Sequence, residues 1–421
     1  MKIKHVFAIT FLVLGMVLVA TGCATPATVA PTSAPAPTKA AAAPAEAAPK
    51  EISIGAVVTA TGPLAASGDQ IKKGYELAVE TINKAGGIDW GNGVKVPLKL
   101  TLLDDESDAT KTVQRMETLF NDNKVALYLG GSASAINVAG AGVAEKNKVP
   151  FVTAALAVQA VHNQGLKYLF SPFTKNPQIC AGFFQMTDAQ NPKPTKFAIF
   201  AEKTDSGAEV AKYCAEEATK RNYTLVVNDS YAPGATDYTA MITKARDGGA
   251  EVVIGFPTPV DGIAMVKQMK ELGFNPKAGL FIRAADSPTW MQSLSKDGDF
   301  FLTAPGWHPA VKFPGAADMN TAHQAKYGGP ALAATGPAYA VVQVAADALT
   351  RAKSIDREKI REALIATNMM TVEGPVKFNA DGTSNMITVI DQWQGGKQEL
   401  VWPPEHQTKP LVFPAPPFSG R

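Results

Sequence analysis

Three cysteines in a chain of 421 residues are too few for a disulfide framework. Five histidines, with no HxxxH or HxH pair among them, lead us to expect no metal centre. Neither sign of charge is in excess. With Lys2 and Lys4 of the leader set aside, lysine plus arginine equals aspartate plus glutamate at 38 each. That balance offers no basic face to a polyanion, so no nucleic-acid partner is expected. After residue 22 no run is long and apolar enough to cross a bilayer. Catalytic signatures are missing as well. There is no GxxxxGK phosphate loop and no GxSxG elbow, and Gly140-Ala141-Gly142 lacks the third glycine of a dinucleotide fingerprint. Asp205-Ser206-Gly207 spells the aspartic-protease triplet, but that chemistry needs two facing carboxylates and no second triplet occurs. The expectation is a protein that is not an enzyme and carries no cofactor.

The chain opens with an export leader at residues 1–22. Lys2 and Lys4 form a positive n-region, and Val6–Val19 is an apolar run of signal-peptide length. Ala20-Thr21-Gly22-Cys23 resembles a bacterial lipobox, which makes Cys23 the lipidation site; an ordinary cleaved signal with an incidental cysteine is the alternative. Residues 23–50, rich in Ala, Pro and Thr, cannot bury a core and read as a tether. A lipid anchor of this kind places the protein outside the cytoplasm, anchored to the membrane without spanning it.

The folded part begins with a strand over Glu51–Val58, a glycine-punctuated loop, an amphipathic helix and a second strand over Leu98–Asp104. Tyr75, Ala78, Val79 and Ile82 share one helical face, and Gly86-Gly87 stops the helix. Strand–loop–helix units repeat through VALYLGG and VPFVT, with Ala154–Ala160 read as a further helix start. Asp108 of the acidic run LDDESD is a helix cap rather than part of a calcium loop. After a break at Phe170–Asn176 a second series runs through KFAIFA, EVVIGF and GLFIRA. Two helices then cover Pro337–Ala352 and Arg357–Thr367, and Gly374–Asn379 with Met386–Gln394 reads as a hairpin around Asn379–Gly382. Alternating strands and helices predict an α/β fold with doubly wound parallel sheets. In such sheets ligands bind at the carboxyl edge of the strands. Cys180 and Cys214 fall on helices of the second series; export allows a bridge, and burial as free thiols is the alternative.

Several runs carry a family resemblance. IGAVVTATGPLAASG…GYELAVETINKAGGI, LLDDESDATKTVQRMETL, KVALYLGGSAS and NKVPFVT resemble the extracytoplasmic solute-binding proteins of ABC transporters, in the branched-chain amino-acid (Leu/Ile/Val-binding) family. YAPGATDYTAMITKARDGGAEVVI and GPVKFNADG continue it in the second half. The resemblance implies a periplasmic-binding-protein type I fold. Lobe one is then 51–171 plus 306–371 and lobe two 174–303 plus 374–415, joined by a three-segment hinge. It implies a monomer that captures a small carboxylate-bearing ligand, a branched-chain or other amino acid or an aromatic acid. The partners are a membrane permease and its ATPase subunits. An extracytoplasmic sensor with the same fold, acting through a membrane partner, is the alternative.

The resemblance also suggests site residues. Ser134, with Ser132 as fallback, corresponds to the serine that binds the ligand carboxylate; backbone groups and a hydroxyl complete that grip, and of the segment that follows, Ala155 supplies backbone while Ala157 takes the hydroxyl's position. Alanine at 157 stands where the family has a hydroxyl. In the second lobe, Asp205 and Ser206 replace the usual aromatic, Phe256 and Thr258 line the third loop, Asp286 stands near the position of the amine-binding acid, and Arg283 beside it is the alternative, attracting an acidic ligand. Trp307 lies in a hinge crossing, for ligand stacking or hinge packing, and Ser67 reaches the cleft from the first loop.

Overall fold

Apolar strands alternate with helices to build two main sheets. The computed structural model describes residues 47–287 and 289–421. The expected leader, Cys23 and the tether as far as residue 46 lie outside the described residues.

β1 (Ile52–Val58), α1 (Ala65–Lys84) and a short hairpin of β2 (Ile88–Gly91) and β3 (Val94–Val96) come first. Positive φ angles of 103° and 94° at Gly86 and Gly87 let the chain leave the helix sharply. Then follow β4 (Leu98–Asp104), α2 (Ala109–Asn121), β5 (Leu127–Leu129), α3 (Ser134–Asn147), β6 (Phe151–Val152) and β7 (Leu169–Phe170). Asp108 caps α2, its side chain accepting from the N–H groups of Thr110 and Lys111. The strands form a parallel sheet in the order β4-β1-β5-β6-β7. Its faces separate by alternation: Ile52, Ile54, Ala56 and Val58 enter one apolar cluster and Val57 the other.

The second sheet draws on β8 (Lys196–Glu202), β9 (Thr224–Tyr231), β10 (Val252–Gly255), β11 (Ala278–Phe281) and β12 (Phe301–Thr303). The helices α4 (Asn176–Asp188), α5 (Asp205–Lys220), α6 (Thr239–Asp247), α7 (Pro259–Glu271) and α8 (Thr289–Leu294) accompany them. Thr204 caps α5 and Thr258 caps α7. Three helices come next: α9 (Ala316–Tyr327), α10 (Thr335–Ala352) and α11 (Arg357–Ile365). α10 returns to pack on α1 beside the first sheet. A hairpin of β13 (Asn368–Thr371) and β14 (Gly374–Lys377) precedes β15 (Ile390–Gln394) and β16 (Lys397–Trp402). The sheet order is β16-β15-β12-β11-β10-β8-β9, parallel from β8 through β12 and antiparallel where β15 joins β12 and β16 joins β15. Phe197 and Ile199 face one apolar cluster, Ala198 and Phe200 the other.

The α/β class with doubly wound parallel sheets is as expected. Local details differ. Ala154–Ala160 is not helical; the first helical turn after β6 is a 3-10 turn at His162–Gln164. Gly374–Lys377 pairs with Asn368–Thr371, and Ile390–Gln394 with Lys397–Trp402. The expected hairpin between 374–379 and 386–394 is therefore replaced by two others. Its turn survives, with Gly382 N–H bonded to the Asn379 carbonyl at 3.0 Å. Cys180 on α4 and Cys214 on α5 form a disulfide, closing a sequence separation of 34 residues inside the second-sheet core.

Candidate functional site

At the carboxyl edge of the first sheet, β1 runs into a loop that the acidic run holds in place. Asp104 accepts from the N–H groups of Ala60 (2.9 Å) and Thr61 (3.3 Å) and from Thr61 Oγ1 (2.7 Å). Ser107 Oγ donates to the Thr61 carbonyl at 2.7 Å and accepts from Leu64 N–H at 3.1 Å. No cluster of three or more metal-ligating side chains occurs among the described residues. α1 starts at Ala65, so Ser67 stands in the first helical turn rather than in the loop.

The loop's buried end, Thr59, shares a short hydrogen bond with Ser132 Oγ. Ser134, the first residue of α3, accepts the Ala157 N–H at 3.2 Å. Ser132, Ser134, Ala155 and Ala157 are thus gathered, and a residue missed in the sequence gathers them. Asn137, fully buried, accepts from Gly131 N–H at 2.8 Å and donates to the carbonyls of Gly131, Ala133 and Ala155 at 3.0–3.1 Å. Its signal was an amide among small and apolar residues in SAINVAGAG. With no side-chain bulk at 155 or 157, the hydroxyls of Ser132 and Ser134 lie beside the Ala157 N–H that Ser134 holds, and a hydroxyl proton there suits a carboxylate.

Arg283 organises the second sheet's edge. It follows β11, lies 4.8 Å over the Phe256 ring beyond β10, and donates from Nη2 to Glu202 Oε2 at 2.7 Å at the end of β8. Its Nε reaches the Pro257 carbonyl at 3.3 Å. Glu202 is buried and was not anticipated. Nearby, the Tyr231 hydroxyl and Asp261 Oδ2 are buried with no hydrogen-bond partner among the described residues. Burial pushes the Tyr231 phenol upward, and the charges of Asp261 and Glu202 add to that. Asp205 is exposed at the start of α5, whereas Ser206 is buried. Thr258 Oγ1 is engaged in capping, accepting Asp261 N–H at 3.2 Å. Asp286 makes no ion pair with Arg283. Burial pushes its carboxyl up to about 7 against the pull of Arg283, and its charge acts on buried Asp391 of β15. Trp307 is 1% exposed and donates from Nε1 to the Val372 carbonyl at 2.9 Å. Gly336 of α10 lies so close that a Cβ there would meet the indole at 2.2 Å. The ring is spent on packing in its crossing segment.

Between the two edges runs the segment 155–160. Glu209 of α5 accepts from the N–H groups of Gln159 (2.9 Å) and Ala160 (2.7 Å) and from Asn176 Nδ2 (2.9 Å). Asn176 N–H donates to the Ala157 carbonyl at 2.8 Å. These bonds satisfy the backbone that the expected helix would have satisfied internally.

Two doubly wound sheets, with the chain passing between them at 171–195, 304–315 and 378–389, define the type I periplasmic binding protein fold. A profile of the periplasmic binding protein family matches residues 51–397, and the chain belongs to that family, among its Leu/Ile/Val-binding proteins. It is 32% identical over 355 residues to Leu/Ile/Val-binding protein homolog 3 of Brucella melitensis, covering 83% of this chain and 94% of the relative. In structure it resembles a leucine binding protein, LivK, from Thermotoga maritima, with TM-score 0.74 and 24% identity over 83% of this chain and 97% of that one. An ABC-transporter solute-binding protein of R. palustris in complex with benzoate superposes with TM-score 0.71 and 16% identity, covering 86% and 98%. At those identities the structural likeness establishes the fold. The family is one of extracytoplasmic solute-binding proteins of ABC importers, not of enzymes.

Proposed function

We propose that this chain captures a small carboxylate-bearing ligand with an apolar body, an amino acid or an aromatic acid, by hinge closure and delivers it to an ABC permease. We take lobe one as 51–171 plus 306–377 and lobe two as 174–303 plus 390–415, because Val376 of β14 packs with Val372 in the first sheet's apolar cluster and the third crossing follows that hairpin. The observation that carries the reading is the pair of edges. Ser132 and Ser134 bring two hydroxyls together on one, beside the Ala157 N–H and the bare alanine backbone at 155 and 157. Phe256, Arg283 and Glu202 form an aromatic, charge-balanced wall on the other. A ligand touching both edges stabilises the closed arrangement through contacts that the open one lacks. Leucine and benzoate, which the relatives' names mention, share a carboxylate and an apolar body, and those are the two features the edges complement. Lipidation of Cys23 then anchors a monomer outside the cytoplasm, and the permease's ATPase subunits drive uptake.

A thermal-shift screen with branched-chain amino acids, other amino acids and aromatic acids tests this reading. A true ligand at 100 times Kd stabilises the native state by about 2.7 kcal/mol. Ser134→Ala should weaken that ligand on the order of tenfold, the worth of one hydrogen bond to a charged group. A panel without any shift refutes carboxylate capture, and unchanged affinity in the variant removes Ser134 from the site.

A further inference from the structure

Beneath the 155–157 segment lies a cation that neither edge uses. Lys175, between β7 and α4, is 1% exposed. Its ammonium donates to the Leu156 carbonyl and to the buried Ser171 hydroxyl, which leaves one N–H without a partner among the described residues. Leu156 stands between Ala155 and Ala157. The ammonium is therefore one peptide unit from the Ala157 N–H that Ser134 Oγ holds.

Among the described residues no carboxylate is hydrogen-bonded to it. Glu373, in the β13–β14 turn, is 3% exposed, and neither of its oxygens has a hydrogen-bond partner among the described residues. Glu209 is occupied by Gln159, Ala160 and Asn176. Asp381, in the 379–382 turn, is occupied by Thr383 and Gln159. Glu373, Asp381 and Glu209 are the charges acting on this lysine, and the lysine in turn acts on His162, whose Nδ1 meets the Asp381 carbonyl. A buried ammonium without a bonded counter-ion is costly, and an anion placed near it relieves that cost.

We propose that Lys175 sets the site's selectivity for anionic ligands, its ammonium supplying the positive charge that a bound carboxylate meets across the Leu156 peptide. The inference rests on the carboxylate reading of the Ser134–Ala157 edge. It has a consequence in pH. Burial holds the Lys175 ammonium down to about 7, against the pull of Glu373, Asp381 and Glu209, and His162 is held down to about 4 by burial first and by Lys175. An anion bound nearby raises the lysine again. Carboxylate binding above neutrality then takes up a proton, and affinity falls as pH rises, by at most about tenfold per pH unit. A neutral ligand lacks this dependence.

Isothermal titration of the full chain with benzoate, benzamide and L-leucine between pH 6 and 8.5 tests the proposal. The expected result is carboxylate affinity that declines several-fold above neutrality, with benzoate favoured over benzamide. Lys175→Met should lose at least tenfold toward the carboxylates together with the pH dependence. Glu373→Gln should move that dependence to lower pH without flattening it. Carboxylate affinity that survives in Lys175→Met, a profile flattened by Glu373→Gln, or equal binding of benzamide and benzoate overturns the role of Lys175 while leaving ligand capture standing. Wild-type protein that binds none of the three probes at any pH refutes carboxylate capture and the selectivity claim together. If Lys175→Met does not fold, the profiles of the wild type and Glu373→Gln decide the matter.

Discussion

Replacing Glu209 by alanine strips the acceptor from three donors at once, the N–H groups of Gln159 and Ala160 and the Asn176 amide. A hydrogen bond to an ionised group nets about 1.5–3 kcal/mol. Simple addition over three bonds overshoots, because Ala160 is exposed and Gln159 half-buried, so water recovers part of the loss. Asn176 is fully buried and its amide stays unpaired. The expected destabilisation is about 3–4 kcal/mol. Glu209→Gln keeps the shape and one acceptor oxygen, so it should cost about half as much. Urea unfolding monitored by circular dichroism gives both numbers, and hydrogen exchange at the amides of residues 159 and 160 should accelerate first. A Glu209→Ala protein within about 1 kcal/mol of wild type would show that this carboxylate does not tie α5 to the 155–160 segment.

The remaining predictions concern covalent and protonic linkage. Breaking the Cys180–Cys214 bridge by the double alanine variant frees a loop spanning 34 residues of sequence separation, which costs about 4 kcal/mol and roughly 5 °C in Tm; an unchanged melting curve counts against that link. Lys175 has a folded pKa near 7 and an ordinary value of 10.5, so above neutrality the unfolded chain binds more protons there. The destabilisation it causes is full below about pH 7 and fades as pH rises toward 10.5, by about 1.4 kcal/mol per unit. The stability difference between wild type and Lys175→Met should therefore shrink over that window, and a constant difference refutes the burial of a charged lysine.

Much of the fold was legible because it is local. The face of Tyr75, Ala78 and Val79, the stop at Gly86-Gly87 and the Asp108 cap each depend on neighbours within a few residues. What escaped depends on distant partners. β7 is two residues long and exists because β6 pairs with it. The 155–160 stretch has helix-compatible composition, but Glu209, Asn176, Lys175 and Asn137 take up its backbone groups from elsewhere. The site shows the same division. Ser132 and Ser134 stand in a recognisable glycine turn, while Glu202 is identified only by Arg283, which reaches it past the end of β10.

The join between β12 and β15 bears on how the protein is made. Leu302 pairs with Gln392 and Thr303 with Asp391, and between them the chain builds three helices that belong with the other sheet. A polypeptide delivered from its amino end can complete the first five-stranded sheet early. The second must wait with an open, hydrogen-bonding edge until nearly the whole sequence has emerged. Long-range pairing of this sort is slow, and an uncovered strand edge is a template for the wrong neighbour. The interval between the arrival of β12 and that of β15 is thus the stage of synthesis at which the chain is most exposed to aggregation and most in need of protection.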